Sequence, residues 1–440
     1  MTFAKSNPNT DKTAKNGKLS REPQSNSETH VDISPYQRLD SRQLNALLSQ
    51  HKIEVPADTD DSGKIRAAIE HHVSCGDVLV GSGTLQVLPD GFGFLRSRWF
   101  NYLGSPDDIY VSPSQIRKFR LTNGDLVSGQ IRPPKDNERF FALLRVQSVN
   151  QLEPERASDA DDFDDLKALV PNVPVELGKS PNTSCQIVDL IAPVGFGQRC
   201  VVVGPPRSGK TRLIRNLCEG FLAAHNEVYA FVLLIDQRPE EITELENTLN
   251  GDRCEVISSV MDNNSQRHND VAMMVLSKAK RMVELGENVA IFLDSLTNLA
   301  SFELGPGFSA SQLESDSLTQ TRSFLADAKR TENAGTLTII STLTVDSNNE
   351  LDEPIARILR YAANLEIQLD SELVKRRIWP AIDLHQSQSQ QEETLLGKKY
   401  EQVCKLRRLL CDKSLPEAMD WLLAQLKESG SDDAWLNKLG

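Results

Sequence analysis

The sequence predicts a multidomain protein in which a small helical domain and a small β-barrel precede a larger α/β domain. In the second half of the chain, apolar strand-like runs alternate with helical segments, a pattern typical of a parallel sheet. Short strand-like runs separated by Gly, Pro and Asp fill residues 79–150. Leucines at helical spacing occur within 34–78. A chain of 440 residues is long enough for two or three such domains.

The composition is that of a globular protein of the cytoplasm. Hydrophobic residues make up 39% of the chain and charged residues 25%, which is ordinary for a soluble domain. No apolar run approaches the ~20 residues of a membrane span, and the polar N-terminus lacks the apolar core of a signal peptide. The seven cysteines show no paired or metal-like spacing, which predicts reduced thiols. We therefore expect a cytoplasmic location and no membrane partner.

The chain begins with a polar stretch and then a helical segment. Residues 1–33 are rich in Asn, Ser, Lys and Thr without apolar periodicity, which predicts a disordered tail. Asp40 precedes a run with leucines at helical spacing and is a plausible helix cap. A second helix is predicted from Ser62 to about Val73.

Residues 79–150 predict a barrel of the OB-fold or cold-shock type, because five strands in about seventy residues is the size of such a barrel. The strand-like runs are 84–88, 91–96, 108–111, 125–132 and 140–146. Residues 81–150 carry nine Lys/Arg and six Asp/Glu, a net charge of +3, although the whole chain has −13. The overall acidity argues against nucleic acid wrapped over the whole surface but allows a local basic site.

The run 91–96 predicts a surface for single-stranded nucleic acid. Phe92 and Phe94 lie two residues apart, so both project from one face of a strand, and the glycine between them lets a flat base approach. The alternative is that both rings fill the barrel core. Cations interleaved with the aromatic residues favour the binding surface. These cations are Arg96, Arg117, Lys118, Arg132 and Arg139.

The acidic residues 151–180 predict a solvated linker, since 151–170 carries two Lys/Arg against seven Asp/Glu, a net charge of −5. The α/β domain is expected over 181–425, followed by a C-terminal tail at 426–440. Its buried strands are predicted at 200–203, 228–236, 289–294 and 337–342, with a helix at about 270–284.

Within this domain, residues 204–211 predict a phosphate-binding loop. The pattern Gly-x-x-x-x-Gly-Lys-Thr follows an apolar strand and precedes a helical run, which is the context that the motif requires. Lys210 is placed to meet the β- and γ-phosphates of ATP, and the hydroxyl of Thr211 can bind Mg²⁺. The predicted nucleotide-binding residues are Gly204, Pro205, Pro206, Arg207, Ser208, Gly209, Lys210, Thr211 and Arg212.

Two further strand ends and one turn complete the predicted nucleotide site. Asp294 follows four apolar residues and is the natural carboxylate for the Mg²⁺ shell of a P-loop ATPase, although such a residue can also only cap a helix. Gln237 follows Asp236 at the same sheet edge, where ligands bind, but an amide cannot accept a proton. Arg377 and Trp379 offer a cation for a phosphate and a flat ring for a base.

The sequence resembles the bacterial transcription termination factor Rho family over residues 36–425. The matching phrases are residues 90–97 (Asp-Gly-Phe-Gly-Phe-Leu-Arg-Ser), 106–117, 131–135, 232–236, 238–241 (Arg-Pro-Glu-Glu) and 380–383 (Pro-Ala-Ile-Asp). The resemblance implies a RecA-like ATPase domain, an RNA-dependent ATP hydrolase and helicase activity, and a homohexameric ring that pulls single-stranded, pyrimidine-rich RNA through its pore. It leaves RNA polymerase as a further partner.

The resemblance also implies roles for single residues. The primary RNA site falls on Phe92, Phe94, Arg96, Tyr110, Glu138 and Arg139. Lys210 and Thr211 fall on the phosphate loop, and Asp294 on the acid that supports Mg²⁺. Arg377 falls on an arginine that acts across subunits, and Trp379 on the aromatic residue that stacks on adenine.

The sequence departs from the family where the chemistry is expected. Gln237 occupies the position of the catalytic glutamate, and the arginine finger falls at about Gln390, in a run without arginine. The loop 304–314 lacks the family's lysine, and Glu350 replaces a second lysine. These departures predict intact nucleotide binding but weak turnover, unless Glu240 or Glu241 or a partner subunit substitutes.

Two functions therefore remain open. One is an RNA-dependent ATPase and translocase that terminates transcription. The other is a catalytically weakened Rho paralogue that binds RNA and ATP and joins or regulates rings of authentic Rho. A metabolic kinase that uses the P-loop is disfavoured by the aromatic and basic barrel.

Overall fold

The computed structural model describes residues 30–56, 58–135, 138–157, 161–249, 251–260, 265–314, 316–346 and 348–429. The predicted tails lie outside these residues from 1 to 29 and from 430 to 440. Residues 30–32 form a strand, and the last helix runs to Ser429, so regular structure extends into both segments that were predicted to be tails.

The N-terminal segment contains two helices whose starts are fixed by aspartates. Helix α1 spans Ser41–Gln50, and α2 spans Asp61–Ser74. Asp40 accepts a hydrogen bond from the backbone N–H of Gln43, whose side chain returns a bond to the backbone N–H of Asp40. This capping box satisfies two N–H groups that an uncapped helix would leave free. The helix predicted from Asp40 is confirmed.

The barrel is built from five strands, with a short sixth strand added at one edge. The strands are β1 (His30–Asp32), β2 (Val78–Val87), β3 (Gly93–Arg96), β4 (Ile109–Val111), β5 (Leu126–Arg132) and β6 (Phe141–Val149). Their order is β1-β2-β3-β4-β6-β5, and pairing of β2 with β5 closes the barrel. Helix α3 (Pro113–Phe119) follows β4. The predicted small barrel is confirmed.

The helical segment and the barrel share one hydrophobic core. Leu44 of α1 and Ile65 and Ile69 of α2 belong to the same buried cluster as Leu85 and Val127 of the barrel. The two parts were expected to be separate domains, but a segment with so few leucines buries its apolar face only against a neighbour.

The α/β domain contains a mainly parallel nine-stranded sheet. Its strands are β7 (Ala168–Leu169), β8 (Arg199–Gly204), β9 (Tyr229–Gln237), β10 (Cys254–Val260), β11 (Asn288–Asp294), β12 (Lys329–Thr331), β13 (Thr336–Thr344), β14 (Leu365–Gln368) and β15 (Gln388–Ser389). The main order is β10-β9-β11-β13-β8-β14-β15, and β12 and β7 extend from β13. The four predicted strands are confirmed as β8, β9, β11 and β13, but the parallel strands β10 and β14 and the short strands β7, β12 and β15 were not predicted.

Helices cover both faces of this sheet. They are α5 (Thr183–Ile191), α6 (Lys210–Ala224), α7 (Pro239–Leu249), α8 (Ser265–Glu284), α9 (Leu296–Leu304), α10 (Thr319–Ala326), α11 (Asp352–Arg360), α12 (Ser371–Lys375), α13 (Glu392–Leu396), α14 (Tyr400–Cys411) and α15 (Leu415–Ser429), whereas the short helix α4 (Pro154–Ala157) packs against β6 of the barrel. Alternate residues of β9 enter opposite cores: Val232 packs with α5 and α6, whereas Phe231 packs with α8 and α9. Such two-sided burial explains the continuous apolar strands. Among the described residues, no helix has the length and apolarity needed to cross a membrane.

The acidic segment after the barrel is partly packed, which differs from the solvated linker that its charge predicts. Phe163 is 1% exposed, and its ring lies beneath the ammonium groups of Lys329 and Lys280, at 4.2 and 5.1 Å from the ring centroid. The backbone N–H of Phe163 donates to Glu284 at 2.6 Å. One aromatic residue within the acidic run therefore anchors it to the α/β domain.

Candidate nucleotide and nucleic-acid sites

The phosphate loop lies between β8 and α6, at the carboxyl edge of the sheet. Gly209 has φ +88°, and a Cβ atom there would lie 2.9 Å from the indole of Trp379. A Cβ atom on Gly204 would lie 2.8 Å from Leu369 and from the hydroxyl of Ser208. Both glycines of the motif are therefore required by space, and Gly209 also by its backbone conformation. The loop ends at the N-terminus of α6, which favours a phosphate.

Lys210 lies in the phosphate loop, where its ammonium group is hydrogen-bonded to backbone carbonyls. It is 8% exposed, and its ammonium donates to the carbonyl oxygens of Gly204 at 3.0 Å and Pro205 at 2.8 Å. Burial lowers the pKa of Lys210 to about 8, against the opposing effect of Asp294 and Asp352. A bound triphosphate would supply the negative charge that pairs with this ammonium.

Asp294 is a buried carboxylate held by two hydroxyl groups. Thr211 donates to one of its oxygens at 2.6 Å and Thr342 to the other at 2.7 Å. The hydroxyl of Ser208 is buried in the loop and has no hydrogen-bond partner among the described residues. A hydroxyl that donates to a buried carboxylate is a donor set of the oxygen type that Mg²⁺ prefers, and the unpartnered hydroxyl of Ser208 lies in the same loop. The residues present therefore fit a magnesium ion bound with a nucleotide.

Trp379 lies beside the phosphate loop and forms one wall of a cavity of about 380 Å³. Arg212, Asn216 and Ser184 contribute polar groups to the same cavity. Trp379 is 38% exposed, so its ring is partly available to a ligand. An aromatic wall next to the phosphate loop suits a nucleobase.

Gln237 lies at the end of β9, next to the site. Its side-chain amide donates to the backbone carbonyl of Asp294 at 3.3 Å, so it holds the strand end as a donor. Glu241, in the first turn of α7, has its pKa raised by partial burial and by the charge of Asp294, whereas Glu240 is exposed. Of the two glutamates considered as substitutes for the catalytic glutamate, Glu241 has a pKa that is shifted by burial and by Asp294.

The glutamine-rich run near Gln390 is folded back onto the sheet. Gln388 and Ser389 form β15, which pairs with β14, and the hydroxyl of Ser389 accepts a hydrogen bond from Gln198 at 3.0 Å. The backbone N–H of Gln390 donates to the backbone carbonyl of Asn364 at 3.0 Å. The segment is therefore fixed along the sheet edge and carries only an amide at the position of the expected arginine.

Arg377 does not contact the phosphate loop of its own chain. It is exposed on the turn after α12, with φ +62°. Glu350 is also exposed, in a loop where Asp352 accepts hydrogen bonds from the backbone of Asp346 and the side chain of Asn349. Both positions face outward from the described chain.

The barrel presents a cluster of four aromatic rings, the aromatic patch: Phe92, Phe94, Tyr110 and Phe140. The ring centroids of Phe94 lie 5.8 Å from Phe92, 6.1 Å from Tyr110 and 4.8 Å from Phe140. All four rings are only partly buried, so they do not fill the barrel core. Tyr110 and Phe140 also line a surface cavity of about 450 Å³ with Arg139 and Glu138. Partly exposed rings beside cations suit stacked bases.

Two charged residues of the predicted RNA site already have protein partners. Arg96 forms an ion pair with the buried Asp108 and donates to Gln86 at 2.8 Å, while its guanidinium lies 5.1 Å from the ring centroid of Phe94. Glu138 accepts two hydrogen bonds from Arg132, at 2.5 and 2.9 Å, and chiefly for this reason its pKa is lowered to about 2. Both side chains are therefore fixed in place beside the aromatic rings.

The structure brings most of the sequence-predicted residues together at two separate sites, but it leaves Arg377 exposed on a turn and Gln390 beside the edge strand β15. Two contributors were missed. Phe140 was assigned only to a strand, although its neighbours Arg139 and Phe141 repeat the cation and aromatic pattern. Thr342 belongs to an apolar strand, and only its polarity near a strand end signals contact with Asp294.

Two family models match this chain. The Rho termination factor RNA-binding domain matches residues 81–155, which contain the barrel and its aromatic patch. The nucleotide-binding domain of the ATP synthase alpha/beta family matches residues 184–389, which contain the phosphate loop, Asp294 and Trp379.

Relatives that match most of this chain share the name transcription termination factor Rho. The chain is 41% identical to a transcription termination factor Rho of Rhodopirellula baltica over 414 residues, 92% of this chain and 80% of that protein. It is 40% identical to the Chromobacterium violaceum protein of the same name, over 85% of this chain and 91% of that protein. Among solved structures, the assembled ATPase EscN of enteropathogenic E. coli matches with a TM-score of 0.49 and 21% identity, over 64% of this chain and 65% of that chain. That last similarity is too weak to bear on function.

Proposed function

This chain belongs to the transcription termination factor Rho family, and we propose that it is an RNA-binding ATPase that acts in transcription termination. The observation that carries the proposal is the pairing, in one chain, of an aromatic and basic barrel surface with a complete phosphate loop. The barrel supplies four partly exposed rings. The α/β domain supplies Lys210, Thr211 and Asp294 at one sheet edge.

ATP with Mg²⁺ is the proposed cofactor pair. Thr211 and Asp294 would hold the ion, and the ion would neutralise charge on the β- and γ-phosphates. The ammonium of Lys210 would exchange its hydrogen bonds to two backbone carbonyls for hydrogen bonds to the phosphates. The ring of Trp379 would support the adenine beside Gly209.

Turnover is proposed to be weak in the isolated chain. A water-orienting group contributes about 10²–10⁴-fold to a rate and an arginine finger about 10³–10⁵-fold. The amide of Gln237 is already hydrogen-bonded to the backbone carbonyl of Asp294. Gln390 directly follows β15, which is paired with the sheet. Helicase action would be weak for the same reason. Glu241 is an alternative carboxylate, since burial and the charge of Asp294 raise its pKa.

A second candidate function follows from the same two positions. A weakened member of the family could join or regulate rings of authentic Rho, which would supply the missing groups across the subunit boundary. The exposed Arg377 suits such a boundary, because it lies outside the site of its own chain. A homohexamer, a mixed ring and contact with RNA polymerase are all proposals that rest on the family.

The RNA half of the proposal is tested by replacing Phe94. Base stacking on one aromatic side chain is worth about 1–3 kcal/mol, so Phe94→Ala should raise the Kd for oligocytidine by about 5–150-fold. The measurement is fluorescence anisotropy of labelled RNA with the full chain.

Phe94→Leu is the matched variant, because it keeps an apolar side chain against Phe140 but removes the ring. It should also lose affinity, whereas Tyr361→Ala, at an aromatic residue 94% exposed on the α/β domain, should not. Unchanged affinity in both Phe94 variants would show that the patch is not the RNA site.

A further inference from the structure

A cavity between the barrel and the α/β domain has a volume of about 650 Å³. It lies between the end of β3 with the following turn, on the barrel side, and α8 with the start of β9, on the other side. Cavities of this size at domain interfaces commonly bind ligands. Neither the phosphate loop nor the aromatic patch includes it.

Arg96 connects this cavity to the aromatic patch. Its guanidinium lies 5.1 Å from the ring centroid of Phe94, and the same side chain lines the cavity. Phe94 and Arg96 lie two residues apart and so share one face of β3. A nucleic-acid strand that leaves the aromatic rings along this face passes Arg96 and then enters the cavity.

Beyond Arg96, two arginines are held on one indole. The guanidinium of Arg98 lies 4.3 Å from the ring centroid of Trp99, and that of Arg38 lies 5.0 Å from it. A guanidinium stacked on an aromatic ring keeps its in-plane N–H groups for other acceptors. Among the described residues Arg98 pairs with Glu255 at 3.5 Å, a carboxylate that it shares with Lys278. The arrangement therefore presents preorganised donors of the kind that bind phosphate.

The carboxylates that line the cavity are already neutralised by other groups. Glu255 accepts hydrogen bonds from Tyr102, from Tyr229 at 2.5 Å and from Lys278 at 2.7 Å. Glu287 pairs with Arg253 at 3.2 Å. A phosphate that approaches Arg98 therefore meets carboxylates whose charge is already balanced. Arg281 of α8 also lines the cavity, but its own charge is balanced by Glu284 at 2.7 Å.

We propose that single-stranded RNA extends from the aromatic patch past Arg96 into this cavity, where Arg98, stacked on Trp99, binds a backbone phosphate of the next nucleotides and Arg38, on the same indole, adds a second cation. The inference rests on the proposed RNA-binding function and assigns it a second contact region. It places the strand against α8 and therefore against the ATPase domain.

The test compares two lengths of oligocytidine on the full chain. An oligomer of about three nucleotides should cover only the aromatic patch, whereas one of about nine should reach the cavity. The double variant Arg38→Gln/Arg98→Gln keeps Trp99 and should weaken binding of the long oligomer about tenfold without affecting the short one. The slope of log K against log salt should fall by about 0.7 for each lost phosphate contact.

Phe94→Leu separates this proposal from the function on which it rests, because it should weaken both lengths. Arg42→Gln, at an exposed arginine of α1, is the control for charge and should change neither. If the double variant bound the long oligomer with the same affinity and the same salt slope as the unmodified chain, the proposed extension would be wrong. A loss that is as large for cytidine monophosphate as for the long oligomer would also overturn it, because the cavity would then bind a free nucleotide rather than a strand.

Discussion

The side chains around Asp294 explain why binding and turnover need not go together in this chain. Asp294 is satisfied by Thr211 and Thr342, and Lys210 is satisfied by two carbonyls, so the binding groups are preorganised without a ligand. The amide of Gln237 donates to the backbone carbonyl of Asp294 and cannot take a proton from an attacking water, as a carboxylate could. The phosphate loop and Asp294 were predictable from sequence, since spacing and strand ends determine them. The hydrogen bond of Gln237 was not, because it depends on how two strand ends meet.

Lys210 leads to a prediction about protons. Its pKa of about 8 is caused mainly by burial, and a bound triphosphate stabilises the charged form and so raises that pKa. Binding of Mg-ATP at pH 8.5–9 should therefore take up a proton, and its affinity should decline as pH rises through this window. Calorimetry in buffers with different ionisation enthalpies measures the uptake.

Lys210→Arg is the control for this measurement, because a guanidinium stays charged throughout. The variant should bind Mg-ATP at pH 9 with no proton uptake. Equal uptake in both proteins would assign the proton to another group.

Among the helices, strands and connecting segments, the acidic stretch after the barrel differs most from its sequence prediction. Its charge predicts a solvated linker, and charge alone gives no sign that Phe163 is buried beneath Lys280 and Lys329. The glutamine-rich run is a similar case. No strand was predicted there, yet Gln388 and Ser389 pair with β14 as β15. In both segments a long-range contact overrides local composition.

Phe163→Ala should reduce the free energy of unfolding of the α/β domain by about 3–5 kcal/mol, the usual cost of removing a buried phenylalanine. Urea unfolding followed by circular dichroism measures the change. Asp165→Asn, at an exposed neighbour in the same run, should stay within about 0.5 kcal/mol. If Phe163→Ala were as mild as Asp165→Asn, the segment would be a linker without an anchoring role.

In the molecule as a whole, the barrel and the α/β domain are joined by a buried polar cluster. Tyr102 of the barrel donates to Glu255 of β10, which also pairs with Lys278 of α8. Gly124 lies so close to the backbone of Ser277 that a Cβ atom would approach it to 2.3 Å. Such a junction fixes the RNA surface relative to the ATPase sheet. The order of the domains was predictable from sequence, whereas this junction was not, since its residues lie far apart in the chain and follow no motif.

The central claim is that this chain binds RNA and nucleotide but hydrolyses ATP slowly because of Gln237 and Gln390. It is tested most directly by steady-state ATP hydrolysis of the purified full chain, with and without oligocytidine, beside Gln237→Glu. We expect little RNA-stimulated turnover in the unmodified chain and a rise in Gln237→Glu, with nucleotide affinity unchanged. The restored carboxylate can contribute up to about 10²–10⁴-fold. Robust RNA-stimulated turnover in the unmodified chain, equal to that of Gln237→Glu, would contradict the claim.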